Sequence, residues 1–326
     1  MEFKIILILL FVHYLQLYIV KPKQNILNCG IYAWAGKDIK QFNADKFNIL
    51  GLFNIERGKD SCGISYDGEI YTGVGKDKLY SDFILERDIQ LTKYPIIIGH
   101  TRQASYGNTV NEHNAHPFGF GENNNGYEFI GCHNGTLYND DVLAKRYNVE
   151  TREKKITVNA HGTKTYEYRS KIDSEILLEI IYSSKSFDVL AEYNGGAALV
   201  FSNTNEPNVI YVWKGASKEF NYTSQPVKEE RPLCYYKESK NSLYISSLAS
   251  SLLAIGGKLN KTVFTFDENT VYKITDGDIS KAVKIKINRE GATQKKEVPT
   301  TTYGHTSSTK PRSKDYYDSF DHRACD

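Results

Sequence analysis

The sequence predicts a single α+β domain built from many short strands and a few helices. Between residue 29 and about residue 288, short apolar runs rich in β-branched and aromatic residues alternate with turn signals. One segment, "DSEILLEIIYSS" (173–184), instead has clear helical periodicity. The chain has 326 residues, of which 40% are hydrophobic, so it is long enough to bury a sizeable core.

The first strands are predicted from apolar runs and one turn motif. "GIYAWAG" (30–36) and "YPIIIGHT" (94–101) are continuous apolar runs, typical of strands buried on both faces. "SCGISYDGEIYTGVG" (61–75) predicts a hairpin, with Asp67-Gly68 as a type I′ turn. Residues 121–135 begin as an Asn- and Gly-rich loop and continue as another buried strand. The remaining predictions are an exposed hairpin at 152–170, strands at 195–203, 208–215 and 242–248, and a closing hairpin at 270–279.

Three helices are predicted. Residues 43–57 form a helical stretch that Gly51 interrupts. Residues 173–184 form an amphipathic helix with Asp173 in the N-cap position. Residues 249–257 form a short helix that ends in glycine.

Both ends of the chain differ in composition from this domain. Residues 1–28 contain an apolar stretch (5–20) that is shorter than the roughly 20 residues needed to span a bilayer. "KPKQN" follows where small residues would mark a signal-peptide cleavage site, and Asn28 precedes Cys29 where a lipoprotein signal needs a small residue. A leader that directs export or membrane attachment is the alternative to a propeptide. Residues 289–326 are predicted to be a disordered polar tail.

Charge and cysteine content limit the classes of function. The net charge of +2 gives no electrostatic reason to expect a nucleic-acid partner. The five cysteines are odd in number and contain no C-x-x-C, which argues against a disulfide framework or a zinc ribbon. We therefore expect a reducing, cytoplasmic location and at least one free thiol.

Six short motifs occur in a characteristic order. They are "CGIYAW" (29–34), "RGKDSCGI" (57–64), "GHTRQASYGN" (99–108), "NAHP" (114–117), "HNGTLYN" (133–139) and "DSEIL" (173–177). Together they resemble the class II glutamine amidotransferases, a branch of the N-terminal-nucleophile hydrolases. The resemblance is closest to the glutaminase domain of hexosamine-phosphate synthases and phosphoribosyl amidotransferases. It implies a four-layer αββα sandwich over residues 29–288.

The resemblance implies that Cys29 is the nucleophile. Its thiol would attack the side-chain amide of glutamine, giving a γ-glutamyl thioester and ammonia. A thiol is mostly protonated near neutral pH and needs a base, which in this family is the α-amino group of the same cysteine. That amine exists only if residues 1–28 are a propeptide removed at Asn28–Cys29. The alternative role for Cys29 is a buried structural cysteine.

The resemblance also assigns the groups that hold glutamine. Arg102 would bind its α-carboxylate, because a planar guanidinium grips a carboxylate through two hydrogen bonds. Ser105 and the backbone of Tyr106 would complete this cradle. The Asn134 side-chain amide and the Gly135 backbone N–H would form the oxyanion hole. A surface ion pair at Arg102 and a simple turn at Asn134-Gly135 are the alternatives. The glycosylation sequon at Asn134-Gly135-Thr136 is discounted because a glycan would block the site.

The remaining motif residues have supporting roles. Asp173 would pair with the α-ammonium group of the substrate, which is compatible with an N-cap. Arg57 and Asp60 would organise the floor beneath Cys29. His113 and His116 are three residues apart, but no acid or cysteine completes a metal site, and we interpret His116 as a buried structural histidine. The sequence predicts no metal and no cofactor.

Two features depart from the family pattern. Gln103 follows Arg102, where relatives often carry a bulky aromatic residue that helps to seal the ammonia route. No synthase domain follows residue 288. We therefore expect a glutaminase that releases ammonia for a separate acceptor protein. The alternatives are an amidase for another γ-glutamyl amide, a non-catalytic glutamine-binding or scaffold module, and a membrane-tethered or exported hydrolase.

Overall fold

A computed structural model describes most of the chain from Cys29 onwards. The described residues are 29–74, 95–103, 112–124, 126–158, 164–215, 217–220, 226–229 and 231–289. The chain divides into two units, Met1–Ala292 and Thr293–Asp326, the second of which lies outside the described residues. Residues 1–28 also lie outside them, so the leader and the boundaries of the domain stay predictions.

Strands dominate the described residues. They are β1 (Gly30–Gly36), β2 (Ser61–Tyr66), β3 (Glu69–Val74), β4 (Ile96–Arg102), β5 (Phe118–Asn123), β6 (Gly126–Gly135), β7 (Arg152–Val158), β8 (Lys164–Ser170), β9 (Ala197–Asn203), β10 (Val209–Gly215), β11 (Ser217–Phe220), β12 (Pro226–Glu229), β13 (Cys234–Ser239), β14 (Ser242–Ser246), β15 (Val263–Thr265), β16 (Thr270–Thr275) and β17 (Val283–Lys286). The helices are α1 (Ala44–Asn54), α2 (Asp140–Arg146), α3 (Asp173–Ser184), α4 (Val189–Glu192) and α5 (Ala249–Ala254).

Two large sheets form the body of the domain. The seven-stranded sheet has the order β15-β13-β14-β1-β4-β2-β3, and the six-stranded sheet has the order β17-β16-β10-β9-β6-β5. Neighbouring strands in both sheets are antiparallel. The pairs β7-β8 and β11-β12 form two separate hairpins.

Successive side chains of the central strands belong alternately to two different hydrophobic layers. In β1, the side chains of Ile31 and Ala33 lie in the core between the sheets, whereas Tyr32 and Trp34 lie in the core beneath the helices. Successive side chains of a strand point to opposite faces, so a strand buried on both sides is apolar throughout. This explains the unbroken apolar run of "GIYAWAG" and confirms its prediction as a buried strand.

Helices cover the outer face of each sheet. Phe47 and Leu50 of α1 share one hydrophobic cluster with Tyr32, Trp34 and Leu252, the last from α5. Helix α3 packs on the other sheet, where its buried face shares a cluster with residues of β6, β9 and β10. The layers are therefore helix, sheet, sheet and helix, which confirms the expected αββα sandwich. Within the described ranges, no helix combines the length and apolarity needed to cross a bilayer.

Several local predictions are settled by the structure. Asp67 and Gly68 both have positive φ (57° and 82°), as a type I′ turn between β2 and β3 requires. The prediction that Gly51 interrupts the first helix was wrong, since α1 runs unbroken through that residue from its cap at Asn43. The prediction of an Asn- and Gly-rich loop from residue 121 was also wrong at its start, because residues 121–123 belong to β5, which pairs with β6.

Trp34 gives a test of the layered core. Its side chain is fully buried, and its Nε1 donates to Ser242 Oγ at 3.1 Å. We expect Trp34→Ala to lower the free energy of unfolding by about 3–5 kcal/mol, because it leaves a large cavity beneath α1. Urea denaturation measures this loss. Val283→Ala is the control: Val283 is 58% exposed on β17, and its substitution should change stability by less than about 0.5 kcal/mol.

Candidate active site

Three strand ends meet at one edge of the sandwich, and motif residues lie on all three. Cys29 directly precedes β1, and Arg102 is the last residue of the adjacent strand β4. Asn134 and Gly135 end β6 in the facing sheet. Both β1 and β4 pack against β6, so the stacking of the sheets brings these residues together.

The backbone carbonyl of Cys29 is the point on which the site converges. It accepts a hydrogen bond from Asn134 Nδ2 at 2.7 Å and another from Arg57 Nε at 2.9 Å. On the other side, the Cys29 Sγ donates a weak hydrogen bond to the carbonyl oxygen of Gln103 at 3.5 Å. The cysteine is therefore fixed through both its backbone and its side chain.

The thiol of Cys29 is electrostatically constrained. Burial raises its pKa, because a thiolate loses hydration there. The Gln103 backbone and the guanidinium groups of Arg102 and Arg57 act in the opposite direction, and the Asp173 carboxylate reinforces the rise. The pKa nevertheless remains raised, so at neutral pH the residue is a thiol and reacts as a nucleophile only with a base at hand.

Arg57 and Asp60 lie in the turn that connects α1 to β2, and Arg57 reaches the Cys29 carbonyl from there. Burial lowers the pKa of Arg57 to about 10, which still leaves it charged at neutral pH. The Asp60 N–H donates to the Arg102 carbonyl at 2.9 Å, and its Oδ2 accepts from Gln103 Nε2 at 3.2 Å. Through these bonds the turn holds the end of β4, including the carbonyl that faces the thiol.

Arg102 is almost completely buried, with 4% of its surface exposed. Its charge lowers the pKa of Cys29 and of His100, which places the guanidinium beside the strand ends. Ser105 and Tyr106, the other members of the predicted carboxylate cradle, lie outside the described residues.

Gly135 occupies a position where a larger residue does not fit. A Cβ added there would lie 2.6 Å from the Gly196 carbonyl oxygen, 2.8 Å from His133 Nε2 and 2.9 Å from Tyr193 Oη. Asn134, next to it, is 1% exposed. The close approach of surrounding groups explains why glycine follows the asparagine.

Asp173 connects α3 to the segment that follows β6. Its Oδ2 accepts from the Leu137 N–H at 2.9 Å, and its Oδ1 accepts from the Ser174 N–H at 2.8 Å. The predicted N-cap position was wrong: Ile172 is the cap, and Asp173 is the first helical residue. A carboxylate at the first turn still interacts favourably with the helix dipole.

Three histidines line the interior directly behind the site. His100, His116 and His133 are each at most 2% exposed, and the rings of the first two stack with centroids 4.2 Å apart. Burial lowers the pKa of His100 to about 3 and that of His133 to about 4, and it lowers the pKa of His116 well below its usual value. All three are therefore neutral at physiological pH.

These positions do not assemble a metal centre. His113 is exposed whereas His116 is buried, so the two do not face one site. Across the described ranges, no group of three or more histidine, cysteine or acidic side chains is placed to hold a metal ion.

Sequence reasoning missed part of the surroundings. Ser174 and Tyr193 contact His133 at 2.7 and 2.9 Å, and Arg231 influences the pKa values of Arg57 and His133. Ser174 and His133 lie inside the quoted motifs, which was the available signal. Tyr193 and Arg231 belong to no motif, and only the folded chain brings them here.

Comparison with known proteins finds a curated relative and solved structures of similar fold. No family model matches the chain. A curated relative, glutamine–fructose-6-phosphate aminotransferase (isomerizing) from Halalkalibacterium halodurans, is 25% identical over 199 residues, which is 58% of this chain and 29% of the relative.

Two solved structures have a similar fold. The glutamine phosphoribosylpyrophosphate amidotransferase of B. subtilis, complexed with ADP and GMP, aligns with a TM-score of 0.55 and 19% identity, over 79% of this chain and 49% of that one. A structure titled as the allosteric regulatory enzyme of purine biosynthesis gives a TM-score of 0.54 with the same identity and coverage. The chain therefore spans half or less of the length of these proteins.

The buried histidines predict how stability depends on pH. An unfolded histidine titrates near pH 6.5, whereas in the folded protein the pKa is about 3 for His100, about 4 for His133 and well below its usual value for His116. Below pH 6.5 the unfolded chain binds protons that the folded chain does not. Stability should therefore fall with decreasing pH, by up to about 1.4 kcal/mol per pH unit for each histidine.

Urea denaturation between pH 7.5 and pH 5 measures this slope. His116→Gln, at a buried histidine, should reduce the slope more than the matched substitution His113→Gln at an exposed one. A stability that does not change across this range would mean that the buried histidines titrate alike in both states.

Proposed function

We propose that the chain carries the glutaminase-type domain of the class II glutamine amidotransferases and that it hydrolyses the side-chain amide of glutamine through a thioester on Cys29. The ammonia released would pass to a separate acceptor protein. The cytoplasm is the proposed location.

The convergence on the Cys29 carbonyl is the observation that carries this proposal. Asn134, taken as an oxyanion donor, uses one N–H of its amide to hold that carbonyl at 2.7 Å. Its Nδ2 has a second hydrogen, which remains to be directed at the developing oxyanion. Nucleophile and oxyanion donor are thus positioned relative to each other by one hydrogen bond.

The chemical steps follow from this arrangement. The α-amine of Cys29 takes the thiol proton, and Sγ attacks the amide carbon to give a tetrahedral oxyanion held by Asn134 and Gly135. Collapse of this intermediate breaks the C–N bond, and the amine returns the proton so that ammonia leaves. Water then hydrolyses the γ-glutamyl thioester to glutamate and the free thiol.

The two ends of glutamine have oppositely charged partners in this proposal. Arg102 binds the α-carboxylate and Asp173 binds the α-ammonium group. Arg102 and Asp173 both act on the pKa of the Cys29 thiol, with opposite signs, so both charges lie near the reacting sulfur. A substrate that carries both charged groups fits this pair better than a simple amide does.

The state of the N-terminus is the decisive test. Intact mass and N-terminal sequencing of the full chain, expressed from Met1, should show a mature protein that begins at Cys29, because the mechanism needs its free α-amine. This mature protein should release ammonia from glutamine, and diazo-oxo-norleucine should label it covalently.

Cys29→Ala serves as the control, since it should abolish both ammonia release and labelling. A chain that retains residues 1–28 and binds glutamine without hydrolysing it would instead indicate a non-catalytic binding module.

The kinetics of a variant at Asn134 distinguish a role in oxyanion stabilisation from a role in substrate binding. Asn134→Ala should lower kcat by about 10²–10³, with a much smaller change in KM, because the lost donor acts mainly on the transition state. Steady-state kinetics with glutamine measures both constants. Asn205→Ala, at an exposed asparagine between β9 and β10, is the matched control. A rise in KM at unchanged kcat would remove Asn134 from the oxyanion hole.

A further inference from the structure

A chain of buried hydrogen bonds runs behind the candidate oxyanion hole. Tyr193 Oη lies 2.9 Å from His133 Nε2, and His133 Nδ1 lies 2.7 Å from Ser174 Oγ. Ser174 Oγ lies 3.4 Å from Asp173 Oδ1 and donates to it. This series of hydrogen bonds thus begins at the fully buried Tyr193 and ends at the carboxylate proposed to bind the substrate's ammonium group.

The direction of the protons follows from counting donors and acceptors. Each hydroxyl has one proton, and a neutral imidazole has one N–H and one bare nitrogen. Among the described residues, the structure shows one acceptor for the Tyr193 proton, which is His133 Nε2. If Tyr193 donates to Nε2, the imidazole proton is on Nδ1 and is donated to Ser174, whose own proton is left for Asp173.

The opposite direction leaves a proton without an acceptor. If Ser174 donated to Nδ1, then Nε2–H would donate to Tyr193 and the tyrosine proton would be buried and unpaired. A buried unsatisfied donor costs about 1–3 kcal/mol. The first direction is also consistent with the raised pKa of Tyr193, which keeps its proton, and with the neutrality of His133.

This series of hydrogen bonds lies next to the groups proposed for catalysis. His133 directly precedes Asn134, and His133 Nε2 and Tyr193 Oη lie within 3 Å of the place where a Gly135 Cβ would be. Tyr193 is held in turn by Arg289, whose guanidinium donates to its carbonyl oxygen and lies over its ring, 5.6 Å from the centroid.

We propose that His133 is a positioning residue: held as the neutral Nδ1–H tautomer between Tyr193 and Ser174, it fixes the oxyanion donors Asn134 and Gly135 relative to Asp173. The catalytic part of this inference rests on the proposed glutaminase activity, whereas the tautomer does not. His133 touches no substrate in this scheme and acts through its neighbours.

The tautomer is measured first, in the full-length protein labelled with ¹⁵N-histidine. Long-range ¹⁵N–¹H correlation spectra distinguish protonated from bare ring nitrogens, and the spectrum of His133→Gln assigns the signal. We expect a proton on Nδ1 and a bare Nε2 at neutral pH. A proton on Nε2 would overturn the proposal whether or not the protein hydrolyses glutamine.

Kinetics then tests positioning with two matched pairs. Tyr193→Phe should lower kcat about tenfold, since small misplacements of catalytic groups cost up to about 10² in rate. Ser174→Ala should instead raise KM for glutamine, because Asp173 loses a donor that orients it. Tyr182→Phe and Ser183→Ala alter hydroxyls elsewhere on α3 and should change neither constant.

The outcomes separate the two proposals. If the wild-type protein, beginning at Cys29, releases no ammonia, the proposed function fails and the tautomer still decides the direction of the hydrogen bonds. If the wild type is active but Tyr193→Phe and Ser174→Ala behave like their controls while remaining folded by thermal denaturation, positioning by His133 is refuted.

Discussion

The packing of the two sheets against each other is the constraint on which the rest of the structure depends. Small and branched side chains fill the layer between them, among them Ala33 and Ala35 of β1 and Ala198 and Val200 of β9. Alanines at these positions let the sheets approach closely enough for β1 and β4 to contact β6. Cys29, Arg102 and Asn134 lie at or next to the ends of these strands, so strand register sets their relative positions. Arg57 and Asp60 approach from the turn between α1 and β2, and Asp173 approaches from the start of α3.

Close packing at this edge of the sandwich brings charged side chains of both signs next to one another. Arg57 and Arg102 bring positive charge next to Cys29, and Asp173 brings negative charge from α3. The histidines behind them stay neutral because burial lowers their pKa values, so they add hydrogen-bonding capacity without further charge. Asn134 and Arg57 hold the start of β1 by donating to the Cys29 carbonyl. Among the described residues, the ring nitrogens of His100 and His116 have no hydrogen-bond partner.

The sequence predicted well wherever one local feature dominates. Strands β1 and β4 are apolar on both faces, and Asp67-Gly68 determines its own turn. Prediction failed where tertiary contacts override local preference. Gly51 costs α1 about 1 kcal/mol relative to alanine, yet the helix continues because Phe47 and Leu50, in the turn before it, are buried in the core. Residues 121–123 were predicted to be loop because the segment is rich in Asn and Gly, but they end β5, where Glu122 pairs with Tyr127 of β6. The motifs located Cys29, Arg57 and Asn134, whereas Tyr193, in no motif, is brought to them by folding.

The protonation states at the site bear on which group could activate Cys29. Its thiol pKa is raised by burial, so a base must remove the proton. The buried histidines are poor candidates: with pKa values of about 3 and 4, His100 and His133 lie more than four units below a thiol, which corresponds to about 6 kcal/mol for the transfer. Both nitrogens of His133 are also already engaged. An α-amine has a pKa near 8, much closer to the ordinary value of a thiol, and in the proposed mature protein it would be covalently held beside Sγ. In the proposed mechanism the base is therefore the cysteine's own amine, and this proposal requires removal of the residues before Cys29.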